Sequence, residues 1–132
     1  LTRWSARVVL VVLAGGIASA QAVNYTNSNQ ITVPDSTTNT AAKSDIVVSG
    51  FAGTVNKATI TLTQMTGFIG ESDLELVAPT GSKFVLLSDC CSTSTSCSNL
   101  TLTLDDAATK LLPVGVAGSG TFKPTNLGTT NR

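Results

Sequence analysis

The chain has 132 residues, 42% of them apolar, 5% aromatic and 12% charged, with eight bases balancing eight acids and no histidine. That length suits one domain with a modest core. The missing histidine excludes Ser-His-Asp and Cys-His catalysis, imidazole zinc sites and histidine-ligated haem. The charge balance excludes the basic footprint of a nucleic-acid binder, so composition points away from an enzyme and away from nucleic acid.

The first feature along the chain is a leader. Arg3 and Arg7 precede an uncharged apolar run from Val8 to Ala18, which gives way to the small-residue sequence ASAQA ending at Ala22. These are the three parts of a secretory signal peptide in their usual order. The run is shorter than the roughly 20 residues that cross a bilayer, and Gly15 and Gly16 interrupt it. Residues 1–20 are expected to be a cleaved signal peptide, cut after Ala20 or Ala22, with no stable membrane span afterwards. The expected location is secreted, cell-surface or periplasmic, in a bacterium. Beyond the leader, eight acids face six bases.

Residues 21–30 read as a polar arm, and Ile31, Thr32 and Val33 as a short edge strand before Pro34. The segments DIVVSG from Asp45, KATITLTQM from Lys57, DLELVAP from Asp73, KFVLLSD from Lys83 and NLTLTLDD from Asn99 are separated by Gly-, Pro- or Ser-rich turns. They predict short strands of a sandwich. Ile60 and Leu62 alternate with threonines, as do Leu100, Leu102 and Leu104, which turns the aliphatic side chains inward and the threonines to water. KFVLLSD lacks the alternation and reads as a central strand. Phe51 and Phe84 are expected in the core, and Phe68, in the loop TGFIGES, as the best exposed contact. Only DDAATKLL, residues 105–112, predicts a helical turn or two, capped by Asp105 or Asp106 and ended by Pro113. The glycine-bearing tail from Val114 predicts an irregular excursion.

Three cysteines, Cys90, Cys91 and Cys97, stand in DCCSTSTSC. In an oxidising compartment one pair is expected, Cys97 with Cys90 or Cys91, pinning a surface loop. A bond between adjacent cysteines would distort the peptide between them. The pattern CC-x5-C lacks the fourth ligand and the CxxC spacing of a zinc site. Asp35, Glu71, Asp73, Asp89, Asp105 and Asp106 lie near predicted strand ends or turns, where carboxylates and backbone carbonyls suit extracellular calcium. Asp73 with Asp105 or Asp106 is the expected ligand set. The alternative is that these aspartates bond local N–H groups and cap turns. NYT at Asn24 and NLT at Asn99 fit the glycosylation pattern and are expected to go unused behind a bacterial leader.

The pieces ITVPD, VSGFAGTVNKATITL, SDLELVAPTGSKFVLLSD, LTLTLDDAA, LLP and SGTFKPTN, in that order, resemble the P domain (P/Homo B) of proprotein convertases and bacterial subtilisin-like proteases, from about Ile31 to Asn126. The strongest element is DLELVAPTG, with Pro79 and Gly81 as hairpin-turn residues. The resemblance implies an all-β, jelly-roll-like β-sandwich, galactose-binding-domain-like, over residues 31–132. In the proteases that domain performs no catalysis but packs beside the catalytic domain and supports it, and some members bind calcium. The family's closing strands carry tryptophans, whereas Trp4 is the only tryptophan here, so the sandwich is expected to be incomplete. The expected function is a secreted, non-catalytic accessory or interaction module, partnered by a subtilisin-like catalytic domain or another cell-surface protein. The alternatives are a fragment of a secreted subtilisin-like serine endopeptidase, and a calcium-dependent adhesin or carbohydrate-binding module.

Overall fold

The computed structural model describes residues 4–15, 21–33, 41–50, 54–91, 95–115 and 117–128. Among them the chain is all-β, with one 3-10 turn at Ile69–Glu71. Strands β1 (Trp4–Gly15), β2 (Gln21–Val33), β3 (Thr54–Gly67), β6 (Cys97–Leu104) and β7 (Gly120–Phe122) form a mixed sheet in the order β2-β1-β3-β6-β7. Strands β4 (Leu74–Val77), β5 (Lys83–Ser88) and β8 (Thr125–Asn126) form a second in the order β4-β5-β8.

The antiparallel pair β3–β6 shows why alternation becomes a core. Ile60 faces Leu104 and Leu62 faces Leu102 in register, and all four are buried, Leu102 completely. The intervening pair Thr61 and Thr103 meets on the opposite face, hydroxyl to hydroxyl at 3.1 Å. Beyond Leu102 the register slips, because β3 spends one extra residue between Leu62 and Met65. Gln64, at φ 57, takes up the left-handed backbone of that bulge. The bulge returns Met65 to the inner face, where it is 1% exposed. Between Leu100 and Cys97 the extra residue falls on β6 instead, with Asn99 at φ 53. Asparagine enters this region more readily than most side chains.

The buried cluster draws on both sheets. Ile60, Leu62, Met65, Leu100, Leu102 and Leu104 come from the larger one and Leu86 and Leu87 from β5, with Leu74, Leu76 and Phe122 packed at its margin. Strand β5 lies in the middle of its sheet, and its last three residues are all buried. That fits a strand covered on both faces. The turn from β4 to β5 is closed by Gly81 N–H to the Ala78 carbonyl and by Ala78 N–H to the Ser82 carbonyl, both 2.8 Å. Gly81 sits at φ 86, which a side chain would oppose.

Several expectations change. The polar arm, residues 21–30, is part of β2. In the uncleaved chain the apolar run of the expected leader is extended as β1, hydrogen-bonded to both β2 and β3. Its valines favour extended backbone as strongly as hydrophobicity favours a leader. DIVVSG forms no strand. Its Val47 is 80% exposed, so no buried face rewards a ladder there. Phe84 is not a core residue but 57% exposed, because β8 reaches β5 only at Leu87 and Ser88 and leaves the hairpin end uncovered. Phe51 lies outside the described residues. Residues 105–112 make one turn, Ala108 N–H to the Asp105 carbonyl, and no helix. Lys110 and Leu111 run beside Lys123 instead, the Lys110 carbonyl accepting from Lys123 N–H at 2.7 Å and Leu111 bridging Lys123. The tail supplies the short strands β7 and β8, each parallel to its neighbour.

Candidate functional site

The chemistry-bearing side chains gather where β5 ends. Leu87 and Ser88 pair with Thr125 and Asn126 of β8, which places Ser88, Asp89, Cys90 and Cys91 beside the returning chain. The turn is irregular because Asp89 and Cys91 both have positive φ, 52 and 69. Left-handed backbone at two non-glycine residues costs free energy that the surroundings must offset. Three contacts do so. Cys91 N–H donates to the Pro113 carbonyl at 2.7 Å, Leu127 N–H donates to the Ser88 carbonyl at 3.2 Å, and Cys90 fills a core position at 1% exposure.

Ser88 is 3% exposed, and its hydroxyl lies 2.6 Å from Asp73 Oδ1 and 2.9 Å from Asp89 Oδ2. A hydroxyl has one proton, which serves one carboxylate at a time, and the shorter contact is to Asp73. The serine thereby ties the start of β4 to the exit of β5. Gly128 lets the Asp89 carboxylate approach the backbone, since a Cβ there would collide with Oδ2. The adjacent Thr125, 1% exposed, accepts from Leu112 N–H at 3.0 Å and donates to the Lys123 carbonyl at 2.7 Å. The buried hydroxyls of Ser88 and Thr125 are thus both engaged within the fold.

The cysteines are free thiols. Cys91 Sγ–H donates to Cys90 Sγ across 3.6 Å. That bond favours the Cys90 thiolate and lowers its pKa, while the same bond and burial raise that of Cys91. Cys97 Sγ is directed to the Met65 carbonyl at 3.5 Å, and burial raises its pKa. Cys97 is close enough to Cys91 to disfavour its ionisation.

The structure divides the acids expected to hold calcium. Asp73 lies with Ser88 and Asp89, whereas Asp105 accepts from Lys57 Nζ at 2.8 Å and from Ala107 N–H at 2.8 Å. The Lys57 hydrogen bond holds the Asp105 carboxyl below its usual range, with the Ala107 N–H adding to it. Asp106 is exposed. Among the described residues no group of three or more Cys, Asp or Glu side chains converges as a metal cage. Asp35 lies outside the described residues. Phe68 is half-buried beside the 3-10 turn.

Sequence reasoning missed Ser88, whose only signal is a lone small polar residue following two leucines in a central strand. It also missed Asn27. That side chain donates to Ser44 Oγ at 3.1 Å and to the Asp45 carbonyl at 2.9 Å, and Tyr25 Oη donates to the Ser49 carbonyl at 3.0 Å. These bonds carry residues 44–49 along β2 and help frame a shallow cleft of about 300 Å³ lined by Asn27, Asn29, Gln30, Lys43 and Asp45, with Ile31 among its walls. No helix among the described residues is long and apolar enough to cross a membrane. The chain matches no family model, no curated protein and no solved structure.

Proposed function

We propose that the chain is a secreted, non-catalytic interaction module of the P-domain kind, a jelly-roll-like sandwich that attaches to a subtilisin-type catalytic domain or a cell-surface protein. The observation that carries this reading is the DLELVAPTG hairpin. Its residues form β4, a turn at Pro79–Gly81 and the approach to β5, the arrangement the resemblance implies. The hairpin also presents apolar surface, with Val77 54% and Phe84 57% exposed. Phe84 pairs with Leu76 and Val77 with Lys83, so the two lie on opposite faces of the hairpin, and Phe84 is the large apolar side chain left for a docking contact. Support also comes from the buried Ser88, locked between two carboxylates, which leaves that hydroxyl no approach for a substrate. The calcium-dependent adhesin reading has no convergent ligand set behind it among the described residues.

Two experiments test the proposal. Sequencing the locus on both sides should reveal a neighbouring frame for a subtilisin-type catalytic domain; a single frame continuous with this one would make the chain part of that protease. Mixing the full chain with that domain should raise the domain's melting temperature through preferential binding to its folded state, and Phe84→Ser should abolish the rise. No neighbouring protease, and no change in melting temperature with the nearest secreted protease domain of the organism, would sink the reading.

A further inference from the structure

Three features of the turn after β5 bear on its thiols. The Cys90 and Cys91 sulfurs are in contact at 3.6 Å. The backbone on either side is already left-handed, at Asp89 and Cys91. The third thiol, Cys97, is turned to the Met65 carbonyl.

We propose that Cys90 and Cys91 are an oxidation site that closes into a vicinal disulfide, while Cys97 remains a thiol. This reverses the pairing expected from the sequence. Closure shortens a separation of 3.6 Å to about 2.05 Å, a movement that takes rotation about the two Cα–Cβ bonds together with distortion of the peptide between them. Joining Cys97 instead would require its Sγ to leave the Met65 carbonyl that it faces at 3.5 Å.

The oxidant is a small-molecule disulfide. The Cys90 thiolate attacks one of its sulfurs and expels a thiolate, giving a mixed disulfide. Cys91, losing its proton to solvent, then attacks the Cys90 sulfur and expels the second thiolate. Two cysteine thiols are oxidised by two electrons, and the small disulfide is reduced to two thiols. Adjacent Cα atoms lie about 3.8 Å apart, below the usual span of about 4.4–6.8 Å, so the ring is strained. Strained disulfides are the more easily reduced kind. Because both cysteines end up buried, at 1% and 6% exposure, exchange takes place while the chain folds.

The test does not depend on export. The full chain is refolded through a series of reduced and oxidised glutathione ratios, quenched in acid, denatured and alkylated with iodoacetamide. The tryptic peptide from Phe84 to Lys110 holds all three cysteines. At oxidising ratios it should carry one label, on Cys97, and fragment freely between Cys91 and Cys97, which a bond spanning them would block. Cys97→Ser should keep the bridge and take no label; Cys91→Ser should lose the bridge and take two. The bridge should open at a milder ratio than an unstrained structural disulfide. A peptide in which Cys97 is protected, or three labels at every ratio in the wild type, would overturn the proposal.

Discussion

The β3–β6 pair and strand β2 with residues 41–50 are both extended chain, yet they are held by different forces. In β3–β6 the inward positions are mostly aliphatic, with Met65, the pair supplies six of the buried cluster's residues, and hydrogen bonding and burial act on the same residues. In β2 the described side chains are mostly exposed or half-exposed, and its single buried residue, Ile31, stands apart from the cluster. There the backbone ladder to β1 and the bonds from Asn27 and Tyr25 do the holding. A strand that gains little from burial is held mainly by hydrogen bonds, each worth only about 0.5–1.5 kcal/mol net. Opening should therefore begin at β2 and its companion segment and end at β3–β6.

The largest effect should come from Leu102→Ala. Leu102 is fully buried, so the lost contacts and the cavity should destabilise the chain by about 2–5 kcal/mol, measured by urea denaturation. A loss under about 1 kcal/mol would break the contrast at its stronger end. Gln64→Gly should act the other way, because glycine relieves the left-handed backbone of the bulge at φ 57; a gain of about 1 kcal/mol is expected, read as a higher denaturation midpoint with an unchanged slope. Asn27→Ala should cost about 1 kcal/mol or less. Its signature is local: hydrogen exchange should quicken across residues 41–50 and stay unchanged in β6.

Lys57→Met should have the smallest effect, and it carries a pH dependence. Lys57 and Asp105 are 36% and 18% exposed in their side chains, so the pair contributes no more than about 1 kcal/mol. The Asp105 pKa is lowered in the folded state by Lys57. Its contribution is therefore present above the carboxyl's unfolded pKa and lost as pH falls through the lower, folded one. The melting temperatures of wild type and Lys57→Met should differ slightly at pH 7 and converge in acid. A gap that widened in acid would contradict the pairing.

The β3–β6 pair was legible because Leu/Thr alternation reports a single fact, that one face is wet. The bulges at Gln64 and Asn99 were not. They arise from where the two inner faces must be brought back into phase, and glutamine advertises no preference for left-handed backbone. DIVVSG misled because valines mark a strand only where a face covers them, and Val47 and Val48 have none. The run from Val8 onward reads as a leader and, in the uncleaved chain, forms a strand, because hydrophobicity without period suits both. At the turn after β5, clustering of the cysteines was visible. The approach of Ser88 to Asp73 depends on the β4–β5 register, which slips between Leu74 and Glu75 and which the hairpin-turn residues do not advertise.

The two short parallel strands also set a timetable. Leu87 and Ser88 finish β5 long before Thr125 and Asn126 are synthesised, and Leu102 through Leu104 wait likewise for Gly120 through Phe122. Parallel pairing across such separations forms late. On a nascent chain, each sheet therefore keeps one open edge until nearly all of this sequence has emerged, and aggregation is most to be expected in that interval. The same interval is when Cys90 and Cys91 lie within reach of an oxidant. The arrival of β8 fixes whichever oxidation state they have reached by then.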